Sequence, residues 1–185
     1  MKRKIEMEYV YHYDSPLGVV TCASDGEALT GLWLDGQKYY ASGLGDDYED
    51  IGSDESKLPV FAQTKKWLDI YFAGRKPDFT PPLLMKGTEF RKAVWEILLT
   101  VPYGQTKTYG EIAEILSEKN GGANVSARAV GNAVGHNPIS VIVPCHRIVG
   151  TNGSLTGYAG GIEKKISLLE LEKADMSDLF VPKQR

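Results

Sequence analysis

Apolar and polar residues alternate from the start of the chain. Ile5, Met7, Tyr9, Tyr11 and Tyr13 fall on one side of a period-two pattern whose other side is mostly polar. That period predicts a half-buried strand. Ser15-Pro16-Leu17-Gly18 reads as a turn, residues 19–23 as a second strand, Asp25-Gly26 as another turn and residues 28–34 as a third strand. An antiparallel meander over residues 4–34 follows. Residues 35–57 are rich in Gly, Asp and Ser and predict a long loop, with a short edge strand near Tyr39-Tyr40. The spacing then changes. Val60, Phe61, Thr64, Trp67, Leu68 and Tyr71 recur at helical intervals, and Ala73-Gly74 ends that helix. Residues 76–82, KPDFTPP, are Pro-rich and predict an extended inter-domain linker.

Helical spacing returns after residue 84. Thr88 is placed to cap a helix whose apolar face is Phe90, Val94, Ile97, Leu98 and Val101. Thr108-Tyr109-Gly110-Glu111 has the capping-box pattern and opens a short helix with Ile112, Ile115 and Leu116 inward. Gly121-Gly122 breaks it. Asn124 or Ser126 caps the next helix, which runs to about Gly135 with Ala127, Val130 and Val134 on one face. Pro138 forbids helical geometry at Asn137. Two short helices joined by a glycine-containing turn predict a helix-turn-helix. The second helix shows unusual outward positions: Arg128, Ala129, Gly131, Asn132 and Gly135. A major-groove reader needs several long polar side chains there. Very small residues permit close approach, either to another helix or to a narrow minor groove. Helix packing does not account for Arg128.

Composition places the chain among ordinary soluble proteins, with 185 residues, 42% hydrophobic and 24% charged. The N-terminus has no apolar core of a secretory signal, and no apolar run is long enough to span a bilayer. Two cysteines, Cys22 and Cys145, make no disulfide framework, so a reduced, cytoplasmic protein is expected. Cys22 reads as a buried small hydrophobe. Scattered His and Cys show no metal-ligand spacing. The charge is uneven. Residues 1–85 carry net −5, residues 86–150 carry net +2, and no carboxylate occurs between Glu118 and Glu163. A surface that approaches phosphates has that character, although chance in a Gly/Ala/Val-rich segment produces it too.

The chemistry is concentrated in residues 139–161, ISVIVPCHRIVGTNGSLTGYAGG. The β-branched run Val141-Ile142-Val143 predicts a strand that stops at Pro144, with Cys145, His146 and Arg147 at its end. A direct Cys–His dyad is disfavoured, because neighbours in extended backbone point to opposite sides. Pro144-Cys145-His146-Arg147, with Tyr158 and Gly160-Gly161 downstream and residues 127–131 (ARAVG) with Asn137-Pro138 upstream, resembles the 6-O-alkylguanine-DNA alkyltransferases, the methylated-DNA–protein-cysteine methyltransferases. The resemblance is close over about residues 84–172 and holds in outline over residues 1–75.

That resemblance implies direct-reversal DNA repair. An alkyl group passes from the 6-oxygen of guanine, with the 4-oxygen of thymine as a second target, to Cys145 in a single turnover without cofactor or metal. It implies that His146 takes the thiol proton through a water and that Glu172 orients His146. Composition alone does not choose among Glu163, Glu170 and Glu172. Tyr109 matches the proton donor to the departing guanine, although packing would also explain it, and Asn137 matches the residue tying the helix to the reactive turn. Arg128 would enter the base stack, with Ala127, Ala129, Gly131 and Tyr109 against DNA. Cys145, Ile148, Tyr158 and Ala159 would form the base pocket. Arg147 reads as a structural ion pair. The chain departs from some relatives at Gly157 and Ala159, where polar residues are missing, and in a longer turn near residues 119–123. The expectation is an α/β (α+β) protein: an N-terminal antiparallel sheet with a helix over residues 1–82, and a mostly helical domain over residues 83–185 containing the helix-turn-helix. The expected partner is double-stranded DNA carrying alkylated guanine, with no membrane, bound by a monomer.

Overall fold

The computed structural model describes residues 7–183; Ile5, the first residue of the strand pattern, lies outside them. Strands β1 (Glu8–Ser15), β2 (Gly18–Ser24) and β3 (Leu29–Leu34) form the antiparallel meander. A short strand β4 (Tyr48–Asp50) completes the sheet in the order β3-β2-β1-β4, parallel to β1. The expected edge strand near Tyr39-Tyr40 is instead a turn. Tyr39 and Ala41 have φ of 58° and 55°, in the left-handed region that a strand cannot use. The edge forms later because Ile51 supplies the buried anchor in an otherwise polar stretch, its amide donating to Val10 O at 2.9 Å.

Helix α1 (Pro59–Phe72) lays the predicted face, Val60, Phe61, Thr64, Trp67, Leu68 and Tyr71, against this sheet. Tyr11 meets Phe61 at 5.3 Å between ring centroids. Cys22 is fully buried in β2.

The second half begins with α2 (Glu89–Leu98), capped by Thr88. Its buried face is Val94, Trp95, Ile97 and Leu98, while Phe90 is exposed, against expectation. Trp95 takes over because its indole N–H donates to Ala133 O at 2.8 Å, a buried polar link to the later helix. A two-residue strand β5 (Lys107–Thr108) leads into α3 (Tyr109–Lys119), whose capping box is complete. Helix α4 (Ala127–Gly135) is capped by Ser126 and buries Val130, Ala133 and Val134. Ala127, assigned above to the apolar face, is exposed. A small side chain in the first turn is not needed to fill the α3–α4 contact.

Both halves share one hydrophobic cluster among the described residues. Strand β3 joins them through its backbone. Leu29 pairs with the end of the Pro-rich segment, its amide donating to Pro82 O at 2.7 Å. Leu32 donates to Pro138 O and accepts from the Ser140 amide, both at 2.9 Å. The sheet edge is thereby covered, as stable sheets require, and it holds the segment that leads to Cys145.

Candidate active site

The run Val141-Ile142-Val143 is a tight turn rather than a strand. Asn137 dictates it. Pro138 keeps Asn137 extended, and its side chain then reaches forward, accepting from Ile139 N at 3.0 Å and donating to Val143 O at 2.7 Å. Val143 N also bonds Ile139 O, and Ile142 N bonds Ser140 O across Val141. Val141 consequently sits at φ 70°, a strained position for a β-branched residue. Pro144 makes a second narrow turn, with Cys145 N bonded to Val143 O at 2.8 Å. Only then does the chain enter a single 3-10 turn, Cys145–Arg147. Successive side chains in such a turn point in three directions, so Cys145, His146 and Arg147 each meet a different neighbourhood.

All three are buried. His146 is fully enclosed, with Nε2 at 2.7 Å from Glu172 Oε1. Glu172 caps the C-terminal end of helix α5 (Ile162–Leu171). Its carboxylate also receives the Tyr71 hydroxyl at 2.7 Å, Arg147 Nη2 and Nε at 2.9 Å each, and the Gly104 amide at 3.0 Å. Burial pushes this carboxyl up, but the hydrogen bonds and charges of His146 and Arg147 outweigh it and hold the group well below the usual carboxylate range. An ionised carboxylate only accepts, so Nε2 of His146 carries the hydrogen. Nδ1 is then the lone-pair side of the ring, and it has no protein partner. Burial lowers the basicity of His146, with Glu172 opposing that effect.

The Cys145 thiol is nearly closed off at 3% exposure. Burial raises its pKa, and the Asn137 side chain and the Lys165 charge act in the opposite direction. Lys165 is itself buried on α5, donating to Ile148 O at 2.5 Å and Thr156 O at 3.1 Å; burial brings its pKa down to about 8. Strand β6 (Ile148–Val149) pairs with β5, which sets Tyr109 beside the reactive turn. The Tyr109 hydroxyl donates to Thr156 O at 3.1 Å, and burial raises its pKa to about 12. Tyr158 is buried with its hydroxyl unpaired, its ring 6.4 Å from that of His146.

Cys145, His146, Glu172, Asn137, Tyr109, Ile148 and Tyr158 therefore converge. Ala159 lies on the loop beside them. Ala127, Arg128 and Ala129 are exposed on the outer face of α4, away from the thiol, and a Cβ on Gly131 would touch the Tyr109 ring at 3.8 Å. Arg147 is a structural ion pair, further held by Val101 O at 2.7 Å. Three contributors escaped sequence reasoning. Tyr71 is indistinguishable from a packing aromatic on α1. Lys165 did leave a signal, a lysine on a face shared with Leu168 and Leu169. Gly104 sits at φ 76°, and a Cβ there would lie 2.9 Å from Glu172 O. Gly104→Ala is expected to lower stability by about 1–3 kcal/mol in denaturant unfolding, with a matching loss of transfer rate.

Among the described residues no group of three His, Cys, Asp or Glu has metal-binding geometry, and no helix is long and apolar enough to cross a membrane.

Residues 9–85 match the ribonuclease-like domain of 6-O-methylguanine DNA methyltransferase, and residues 89–174 match its DNA binding domain. A methylated-DNA–protein-cysteine methyltransferase of Mycobacterium tuberculosis is 46% identical over 167 residues, 88% of this chain and 93% of its own. The chain belongs to the methylated-DNA–protein-cysteine methyltransferase family. The crystal structure of O6-methylguanine methyltransferase from Mycobacterium tuberculosis superposes with a TM-score of 0.74 at 44% identity, covering 90% of this chain and 93% of that one. A structure of the protein from the same organism in complex with DNA gives 0.72 at 41% identity, covering 90% and 92%. In the terms of this methyltransferase family, the site draws on both matched regions. Tyr71 comes from the ribonuclease-like region, and the other groups named at the thiol come from the DNA-binding region.

Proposed function

We propose that this chain repairs alkylated DNA by transferring the alkyl group from the 6-oxygen of guanine to its own Cys145. The observation that carries the residue roles is the buried Cys145–His146–Glu172 set, in which His146 keeps Nδ1 free as a proton acceptor. The thiol is the weak point of the chemistry. A buried thiol is mostly protonated near neutral pH. A water between Sγ and Nδ1 passes the thiol proton to His146, and Glu172 stabilises the resulting imidazolium. The thiolate attacks the alkyl carbon in line. The new S–C bond forms as the C–O bond breaks, and the electron pair leaves with guanine. Tyr109 donates its phenolic proton to the guanine ring, giving up its bond to Thr156 O, so that a neutral base departs, and the proton held on His146 then returns through solvent to the tyrosine oxygen. The thioether is stable, and each chain acts once.

The target atom lies inside the duplex, so the nucleotide must be extruded. Helix α4 is suited to a minor-groove approach. Ala127, Ala129 and Gly131 let the backbone come close, and exposed Arg128 enters the stack where the base was. A sequence-reading regulator fits less well, because α4 offers base edges few long polar side chains. A binding-only damage sensor is disfavoured by Cys145 itself.

The base-assisted pathway predicts a particular pH profile. Ionisation of an unassisted thiol would make transfer rise about tenfold per pH unit below its pKa, which lies above the ordinary value of about 8.5. His146 is instead held below its ordinary value of about 6.5, so it stays neutral, and able to accept, down to lower pH. Single-turnover rates on methylated duplex should be nearly flat from pH 6.5 to 8, within about threefold. His146→Gln should be slower and restore the steep rise. A steep profile in the unaltered protein would contradict the relay.

A further inference from the structure

The turn after β3 brings the N-terminal half of the chain to the loop that carries Tyr158 and Ala159 of the proposed base pocket. Gln37 is buried, and its side-chain oxygen accepts from Leu34 N at 2.7 Å and from the Ser140 hydroxyl at 3.1 Å. The Lys38 amide donates to Ala159 O at 2.9 Å. The turn is thus fastened both to the strained segment before Cys145 and to the loop that carries Tyr158. Tyr39 follows in left-handed backbone. Its ring stacks on His136, with centroids 4.1 Å apart and planes at 23°. His136 caps α4, and its Nδ1 donates to Asn132 O at 2.7 Å. The Lys38 ammonium lies 5.0 Å from the Tyr39 ring centroid.

Lys38, Tyr39, Asn132 and His136 wall a cavity of about 240 Å³, together with Tyr158 and Ala159. Among the described residues around it, Lys38 is the one cation and none is a carboxylate. The cavity opens beside the C-terminal half of α4, beyond Arg128, and shares Tyr158 and Ala159 with the proposed base pocket. If the extruded nucleotide enters between α4 and the Tyr158 loop, its own phosphates pass this rim. Flat aromatic faces with a lysine over them suit a sugar–phosphate strand: the rings pack and the ammonium neutralises.

We propose that Lys38, carried on the Tyr39–His136 stack, contacts the DNA-backbone phosphate beside the extruded nucleotide. The N-terminal half of the chain then takes part directly in holding the lesion. This inference rests on the base-extrusion reading above. It also gives the strained turn at Tyr39 a task that packing alone does not supply.

The test separates phosphate contact from chemistry. Lys38→Ala and Lys38→Arg are compared with the unaltered protein on methylated duplex DNA and on free 6-O-benzylguanine, which has no phosphate. Lys38→Ala should slow transfer from the duplex about three- to tenfold at physiological salt and reduce the slope of log affinity against log salt by about one. Its reaction with the free base should stay within twofold, and Lys38→Arg should restore the slope. An unchanged salt slope, or an equal loss on duplex and free base, would overturn the phosphate contact. If the unaltered protein itself transfers no methyl to Cys145 from the duplex, the repair function fails. If it transfers normally and Lys38→Ala matches it in every respect, only the present inference fails.

Discussion

Cys145→Ala abolishes methyl transfer while leaving lesion binding in place. The loss should be about 10⁶-fold, the scale seen when a covalent nucleophile is removed, because the chain's other thiol, Cys22, lies elsewhere. Cys22 is fully buried within the sheet, and burial raises its thiol pKa strongly, so it offers no substitute. Alanine removes one buried sulfur from a packed position, and a modest change in melting temperature follows. The outer face of α4, with Ala127, Arg128 and Ala129, is untouched. Gel-shift titration with methylated duplex should therefore give an affinity within about threefold of the unaltered protein, well inside 1.4 kcal/mol. Loss of binding together with transfer would mean that the thiol, and not α4, holds the DNA.

Glu172→Gln is the second large effect, and it acts on stability and chemistry together. Five donors converge on this carboxylate from Tyr71, Gly104, His146 and Arg147. An amide cannot satisfy them all, and it leaves the buried Arg147 cation without its counter-charge. The expected cost is about 3–5 kcal/mol in unfolding free energy. Transfer should fall by up to about 10²–10⁴-fold in protein that remains folded, because His146 loses the carboxylate that lets it act as general base. Glu170→Gln on the same helix is exposed and should change stability by less than about 0.5 kcal/mol. The pH dependence of stability has the same origin. Unfolded histidine and glutamate titrate near about 6.5 and 4.3. His146 and Glu172 both lie lower in the folded protein. As pH falls below about 6.5 the unfolded chain binds more protons than the native one, so stability declines. The Glu172 contribution is complete above about 4.3 and is lost as pH falls through its native value. Glu172→Gln should therefore show a shallower acid limb in urea melts.

What could be read in the sequence follows from how local each signal is. The meander, α1 and the capping boxes appear because period and cap chemistry are written within a few residues. The sequence points to an edge strand at Tyr39-Tyr40 rather than at Tyr48–Asp50, because two adjacent aromatics outweigh a single Ile51. Val141-Ile142-Val143 reads as a strand by propensity, yet the Asn137 side chain folds it into a turn at the cost of strain at Val141. That run ends two residues before Cys145. Cys145 and His146 stand out locally. Among Glu163, Glu170 and Glu172 only resemblance singles out Glu172 in the sequence, and burial separates it from the other two in the fold. Tyr71 lies 101 residues from Glu172 along the chain, and no local pattern announces such a contact. Lys38 and Tyr39 were hidden for the same reason, their partners being Ala159 and His136.

Cys145 is the proposed acceptor of the alkyl group. The direct measurement incubates the protein with an excess of methylated duplex DNA and reads its peptides by mass spectrometry. A single added methyl is expected, confined to the peptide containing Cys145 and reaching one per chain as the DNA lesion disappears. Repaired DNA with an unmodified Cys145 peptide, or turnover beyond one lesion per chain, would contradict it.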